Sequence, residues 1–264
     1  MNTIIQAGYR TGSGNVMSLS VGGYTIKRDD VPVVAKEDVK ALCDWKGGCK
    51  GRNGGCPPYA PYFENLKHNM PLLYVITVEF DMAYAIEYSG WWKGSSVPGL
   101  FIITYADRLT MNYMQRLLKK FEEKDLYCLG LSNCPGCRPA DCKVIRGEPC
   151  AKPKKRRFSV EAVGILCNEL HQDIFGECLP WWHRTREHMP TKLVRYSAVF
   201  VDEWWSHTAE GVLTNAVQTD KSCTSPENVP KLDYDIETLE VPEGCLDEGI
   251  AYQAYRIPME RMSR

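Results

Sequence analysis

The sequence predicts an α+β domain on a mainly antiparallel sheet, with helices on one face. Three observations predict it. Runs of β-branched and aromatic residues recur at strand length. Two stretches carry apolar residues at helical spacing. The order reads strand, strand, strand, helix, strand, cysteine loop, helix, strand, which fits one sheet with helices packed against it. A ferredoxin-like sandwich is the specific arrangement expected.

Taken in order, a short strand is read at 21–26. A short helix, "KEDVKALCDWKGG" at 36–48, runs into a first group of cysteines. The loop that follows, "KGGCKGRNGGCPPYAPY", has too many glycines and a Pro-Pro, so it forms no regular element. "PLLYVITVEF" (71–80), "MAYAIEY" (82–88) and "GLFIITYAD" (99–107) read as strands, the last buried on both faces. After Asp107, Leu109, Tyr113, Leu117 and Phe121 recur at helical spacing, predicting a helix to about Glu123. "YCLGL" (127–131) reads as a short strand. Ser159 reads as an N-cap for a stripe of Val163, Leu166, Cys167, Leu170 and Ile174 that stops near Gly176. "KLVRYSAVFVD" (192–202) is the last strand. Residues 1–203 are read as one cysteine-rich domain. Residues 204–264 are read as an acidic, irregular extension that packs on that core or on a partner.

Charge balance narrows the class. The 264 residues carry a formal net charge of -1, so nothing global calls for nucleic acid. No apolar run approaches the length of a membrane span, and the start lacks the pattern of a secretory signal. A cytoplasmic location is expected, and there thiols stay reduced. Twelve cysteines then point to ligands rather than disulfides.

The cysteines cluster. Cys134, Cys137, Cys142 and Cys150 lie in one loop, and Cys43, Cys49 and Cys56 in another. A zinc site usually shows two close pairs with a longer spacer. The second group instead has three close cysteines and a fourth at a distance, just before a proline-containing stretch. That graded spacing favours a cubane cluster over zinc, because a cluster takes its ligands from successive turns of a loop. The first group offers three thiols. Its fourth ligand is Cys128, Cys178, Cys223 or Cys245, a non-cysteine group, or nothing at all, leaving an open iron. Zinc with three cysteines and His68 is the alternative there.

The stretch "CPGCRPADCKVIRGEPCAKPKKRRFSVEAVGI" resembles the signature of the DUF2284 family of predicted metal-binding proteins. Cys134, Cys137, Cys142, Cys150, Pro153, Ser159, Glu161, Ala162, Gly164 and Ile165 carry the likeness, and Cys56, Pro57 and Pro58 match the family's upstream block. The likeness covers about residues 40–203. It implies metal or cluster binding and little about a reaction. One departure is the longer gap between Cys137 and Cys142, which makes Cys142 a less secure ligand than Cys134 or Cys150.

Other features have plainer readings. Lys152 to Arg157, "KPKKRR", is a solvated face, a counter-charge to a thiolate centre, or a docking site. Three tryptophan pairs, 91–92, 181–182 and 204–205, read as core and edge cover, with an aromatic wall that keeps water from a cluster or lines a substrate pocket as the alternative. His183, His188, Asp202 and Glu203 adjoin two of them, but no spacing singles out a catalytic group. Cys167 reads as a core residue.

Together these readings predict an iron–sulfur protein with two [4Fe–4S] centres, on Cys134, Cys137, Cys142 and Cys150 and on Cys43, Cys49 and Cys56. Zinc is the alternative metal. A redox partner protein or larger complex is expected, with no membrane and no nucleic acid. The function is redox or sulfur chemistry. The alternatives are a non-catalytic electron-transfer or cluster-delivery subunit and a zinc-stabilised binding module.

Overall fold

A computed structural model of the chain describes residues 2–39, 51, 53–67, 69–89, 98–130, 134–177, 179 and 191–232. Six strands form one sheet: β1 (Asn2–Arg10), β2 (Val16–Lys27), β3 (Leu72–Asp81), β4 (Cys128–Leu129), β5 (Lys192–Val201) and β6 (Cys223–Thr224). Their order is β4-β5-β3-β2-β1-β6, and every pair is antiparallel. Four helices accompany them: α1 (Met82–Ser89), α2 (Pro98–Glu122), α3 (Cys167–Phe175) and α4 (Glu203–Thr219). The α+β class and the mainly antiparallel sheet are as the sequence predicts. The ferredoxin-like arrangement is not. That motif needs a helix after its first strand, whereas β1 and β2 are joined directly by a tight hairpin through residues 11–15.

Side-chain alternation along the central strands makes two apolar faces. Tyr74, Ile76, Val78 and Phe80 of β3 point one way, where α2 supplies Tyr113, Leu117 and Phe121 and α4 supplies Leu213 and Val217. Leu73 and Val75 point the other way, with Ala198 and Phe200 of β5. That second face is covered by α3 and by loop residues, among them Phe63, Phe158, Val160 and Ile165. Fully burying one such Leu or Phe stabilises the fold by roughly 1.5–3 kcal/mol. The expectation of helices on one face therefore holds for α2 and α4, while α3 lies opposite them.

Two expected strands are helical. Residues 82–88 form α1, which follows β3 directly, because the Asp81 carboxylate accepts the Ala83 N–H at 2.8 Å and turns the chain. Met82, Ala85 and Ile86 then share one buried cluster at helical spacing. Residues 99–107 are the first turns of α2. Their β-branched run resembles a buried strand, and periodicity alone does not separate the two cases. Ala106 and Thr110 continue the buried stripe of Tyr113, Met114 and Leu117.

The stretch from Ser159 is two elements rather than one helix. Ser159 Oγ accepts the Ala162 N–H at 3.1 Å, as an N-cap would, but only a 3-10 turn (Glu161–Val163) follows. Gly164 then adopts a left-handed conformation, φ +100, with Tyr62 and Val39 side chains 3.1 Å from where a Cβ would stand. The chain bends there to bridge Val33 with Ile165, and α3 starts at Cys167.

The irregular extension expected from residue 204 does not begin there. α4 occupies 203–219, capped by Asp202, whose carboxylate accepts the Trp205 N–H at 2.8 Å. Ala209, Leu213, Ala216 and Val217 bury one stripe, which Gly211 and the interleaved Thr and Asn residues obscure in the sequence. Beyond it, β6 pairs with β1. The acidic stretch from Asp233 onward lies outside the described residues, as does nearly all of the helix expected at 36–48.

Candidate metal centre

The second cysteine group leaves the sheet at its β4 edge. Prolines and glycines break residues 134–157 into short 3-10 turns at Pro139–Asp141, Lys143–Arg146 and Pro153–Lys155. Such turns leave backbone N–H groups free to point at something other than the next turn of a helix.

They point at sulfur. Cys142 Sγ accepts the Gly54 N–H at 3.1 Å, and the backbone amides of Val144 and Ile145 also bond it. Burial alone pushes this thiol up, but those donors outweigh it and hold Cys142 below its ordinary value. Cys137 goes the other way. Burial raises it, and so do the neighbouring thiols of Cys142, Cys134 and Cys150; it donates its proton to Cys142. The four sulfurs are thus close enough to feel one another. Cys142 is thereby the more easily ionised of the pair and Cys137 the less. Cys134, Cys137 and Cys150 are half-buried and Cys142 is buried, and none of the four is in a disulfide. Among the described residues, no three Cys, His, Asp or Glu side chains close around a common metal position. The donor set, four thiols with amides aimed at sulfur, is nevertheless one that fits a thiolate-bound metal.

The Cys-Pro-Pro loop packs against this one. Asn53 Oδ1 accepts the Gly55 N–H at 2.8 Å and the Cys56 thiol at 3.5 Å. A Cβ on Gly54 would stand 2.7 Å from Val144 Cβ, and one on Gly55 would stand 2.8 Å from Cys134 Cβ and 2.5 Å from the Arg157 carbonyl. Only glycine permits that approach. Arg156 fastens the two loops. Its guanidinium donates to the Gly54 carbonyl at 2.7 and 3.0 Å and to the Tyr59 carbonyl at 2.8 Å, and it lies over the Phe158 ring at 4.9 Å. Arg157 forms a forked ion pair with Glu122 of α2.

Of the seven expected ligands, Cys134, Cys142 and Cys150 lie within electrostatic reach of Cys137, and the Cys56 loop packs beside them. Cys43, Cys49 and His68 lie outside the described residues, as do Cys178 and Cys245. The other two candidates for a fourth ligand sit elsewhere. Cys128 belongs to the core of the helical face, its thiol toward the carbonyls of Leu118 and Leu126. Cys223 is on β6, at the far edge of the sheet, 3.2 Å from the Tyr113 hydroxyl. Cys167 packs in the loop-covered core, as expected, beside Glu161. Burial pushes all three thiols up. Sequence reasoning missed Asn53 and Gly54, and took Arg156 only as part of a basic run. The "NGG" before Cys56 and the "RR" before Phe158 are their only signals. The tryptophan pairs 91–92 and 181–182, with His183 and His188, are outside the described residues. Trp204 is exposed, Trp205 packs on the core, and Asp202 is a helix cap.

Among the described residues, no helix is long and apolar enough to cross a membrane. The chain belongs to the DUF2284 family, described as predicted metal-binding proteins, whose model matches residues 25–199. The match runs from the end of β2 through most of β5 and takes in both cysteine groups. No curated protein and no solved structure is significantly similar to the chain.

Proposed function

We propose that this metal-binding protein is an iron–sulfur protein of the reducing cytoplasm. Cys134, Cys137, Cys142 and Cys150 hold one [4Fe–4S] cluster, and Cys43, Cys49 and Cys56 hold a second cysteine-ligated centre. The observation that carries this reading is the contact between the two loops, where the amide of Gly54, two residues before Cys56, bonds Cys142 Sγ across 88 positions of sequence. Bringing a Cys-Pro-Pro loop onto a four-cysteine loop serves two adjacent centres better than one zinc knuckle. The graded spacing of the four cysteines supports iron over zinc.

When bound, such clusters supply one-electron redox chemistry. The chain's own contribution is to fix the environment. Gly54, Val144 and Ile145 direct N–H dipoles at one sulfur, which stabilises the more negative state of a thiolate centre. Arg156 holds the Gly54 peptide in place, and buried Cys142 lies deeper than Cys134, Cys137 and Cys150. Those three half-exposed thiols leave one side of the centre open to a partner. This supports electron transfer, with the first centre as the place for chemistry on sulfur or a reducible substrate if its iron is open.

Electron paramagnetic resonance of the anaerobically reduced protein tests it. Cys56→Ala should remove one cluster signal and Cys142→Ala a different one. Loss of the same single signal in both variants, or no iron signal in the wild-type protein, would overturn the two-centre reading.

A further inference from the structure

Residues 134–157 hold eight Lys or Arg and two Asp or Glu, a net charge of +6 in a chain whose total is -1, so the remainder carries -7. The structure divides these cations by job. Arg156 is spent on carbonyls and Arg157 on Glu122. Lys143 and Arg146 share the Glu148 carboxylate, at 3.2 and 3.3 Å. Arg138 remains, and with it the three closely spaced lysines Lys152, Lys154 and Lys155. All three are exposed, and none has an ion-pair partner among the described residues. They also border the cysteines. The Cys134 thiol points at the Lys155 carbonyl at 3.9 Å, and a Cβ on Gly136 would meet Lys155 Cβ at 3.8 Å.

Three exposed lysines in four residues, with no ion-pair partner among the described residues, repel one another, so the described fold alone does not explain them. From this we infer that Lys152, Lys154 and Lys155 form a docking surface for an acidic protein, placed to bring that partner to the cysteine centre. The identity of the partner's task rests on the iron–sulfur reading; the surface does not. Nucleic acid is the poorer fit. Residues 134–157 contain no aromatic side chain on which a base could stack, and the lysines sit on a 3-10 turn rather than on a helix that could enter a groove. A carboxylate-rich surface needs neither. Unpaired lysines at the rim of a site steer such a partner over several ångströms and lose that pull in salt.

The test uses the full chain, purified without oxygen, and an acidic plant-type ferredoxin as the probe. The two are coupled by a carbodiimide at about 20 mM ionic strength, where screening is weak. Cross-links are mapped by mass spectrometry, and the affinity is measured by calorimetry. Cross-links should concentrate on Lys152, Lys154 and Lys155. The triple variant K152E/K154E/K155E should bind about tenfold more weakly or worse. A control of equal charge change at the opposite sheet edge, R10E/K221E/K231E, should stay within about twofold, since distant rim charges contribute little. The neutral variant K152Q/K154Q/K155Q should fall between, which separates charge from misfolding. No complex at low salt, cross-links shared equally with Lys221 and Lys231, or equal weakening by both charge-reversed variants overturns the inference. So does a single-stranded RNA of matched charge that binds the lysines more tightly than the ferredoxin. Iron and sulfide are assayed on the same sample. Protein without iron that still docks through these lysines supports the surface while the cluster reading fails.

Discussion

The two faces of the sheet are held by different physics. On the helical face, α2 and α4 bury large apolar side chains against β1, β2 and β3, and Tyr113, Leu117, Phe121 and Leu213 are almost completely inaccessible. On the other face, one short helix and a chain of turns do the covering. There the constraints are a guanidinium on two carbonyls, a left-handed glycine, and glycines whose Cβ would collide with the neighbouring loop. Apolar packing tolerates volume-conserving change and does not depend on what the chain binds. Directed hydrogen bonds and glycine conformations tolerate little, and they fix where sulfur atoms lie. The helical face is scaffold, and the loop face holds the clustered cysteines. Mutations on the first should lower stability and leave metal alone; mutations on the second should do more to metal than to stability.

The sharpest separation is within one residue type. Cys142→Ala should lower bound metal per folded chain by at least about tenfold, since losing a first ligand costs more than the 10–100-fold typical of its supporting hydrogen bonds. Cys128→Ala should leave metal content unchanged while lowering the melting temperature. Metal analysis and thermal unfolding on the same preparations read both, and equal metal loss in the two would erase the distinction. Next in size is Leu117→Ala in α2, expected to cost about 2–5 kcal/mol in denaturant unfolding, with metal per folded molecule retained. Arg156→Lys keeps the charge and loses the fork. It should cost about 2 kcal/mol or less and should also weaken metal binding, through the freed Gly54 peptide. A stability loss with unaltered metal affinity would make Arg156 ordinary scaffold. Gly164→Ala, strained at its positive φ and crowded by Tyr62 and Val39, should cost about 1–3 kcal/mol.

The smallest effect concerns pH. His171 of α3 is buried on the loop-covered side, its Nδ1 hydrogen-bonded to the Tyr196 hydroxyl and its Nε2 3.8 Å from Glu177. Burial lowers its pKa, more than Glu177 raises it, and Lys192 adds to the lowering. A histidine whose folded value is depressed contributes stability above its unfolded value, near 6.5, and loses it as pH falls. Stability should therefore be level above about pH 6.5 and decline below it. His171→Gln should flatten that part of the profile, and an unchanged decline would assign it elsewhere.

How much of this was legible in the sequence follows the same division. β3 and β5 were legible because each is a long β-branched and aromatic run. α1 and the first turns of α2 were misread because 82–88 and 99–107 are rich in strand formers, and only tertiary packing makes them helical. α4 was missed because its buried stripe is mostly small residues. At the centre, the four clustered cysteines were legible from spacing. Cys142, a less secure candidate than Cys134 or Cys150, accepts three backbone N–H groups. Two of its donors, the Val144 and Ile145 amides, are local, but Gly54 comes from 88 positions upstream on a loop that Arg156 holds, and that contact could not be read locally.

The most direct measurement is the ultraviolet–visible spectrum of anaerobically purified full-length protein, with iron, acid-labile sulfide and zinc analysis. The account predicts a brown protein with iron and sulfide enough for two clusters. A colourless protein with stoichiometric zinc and no sulfide would contradict it and leave a zinc-stabilised fold.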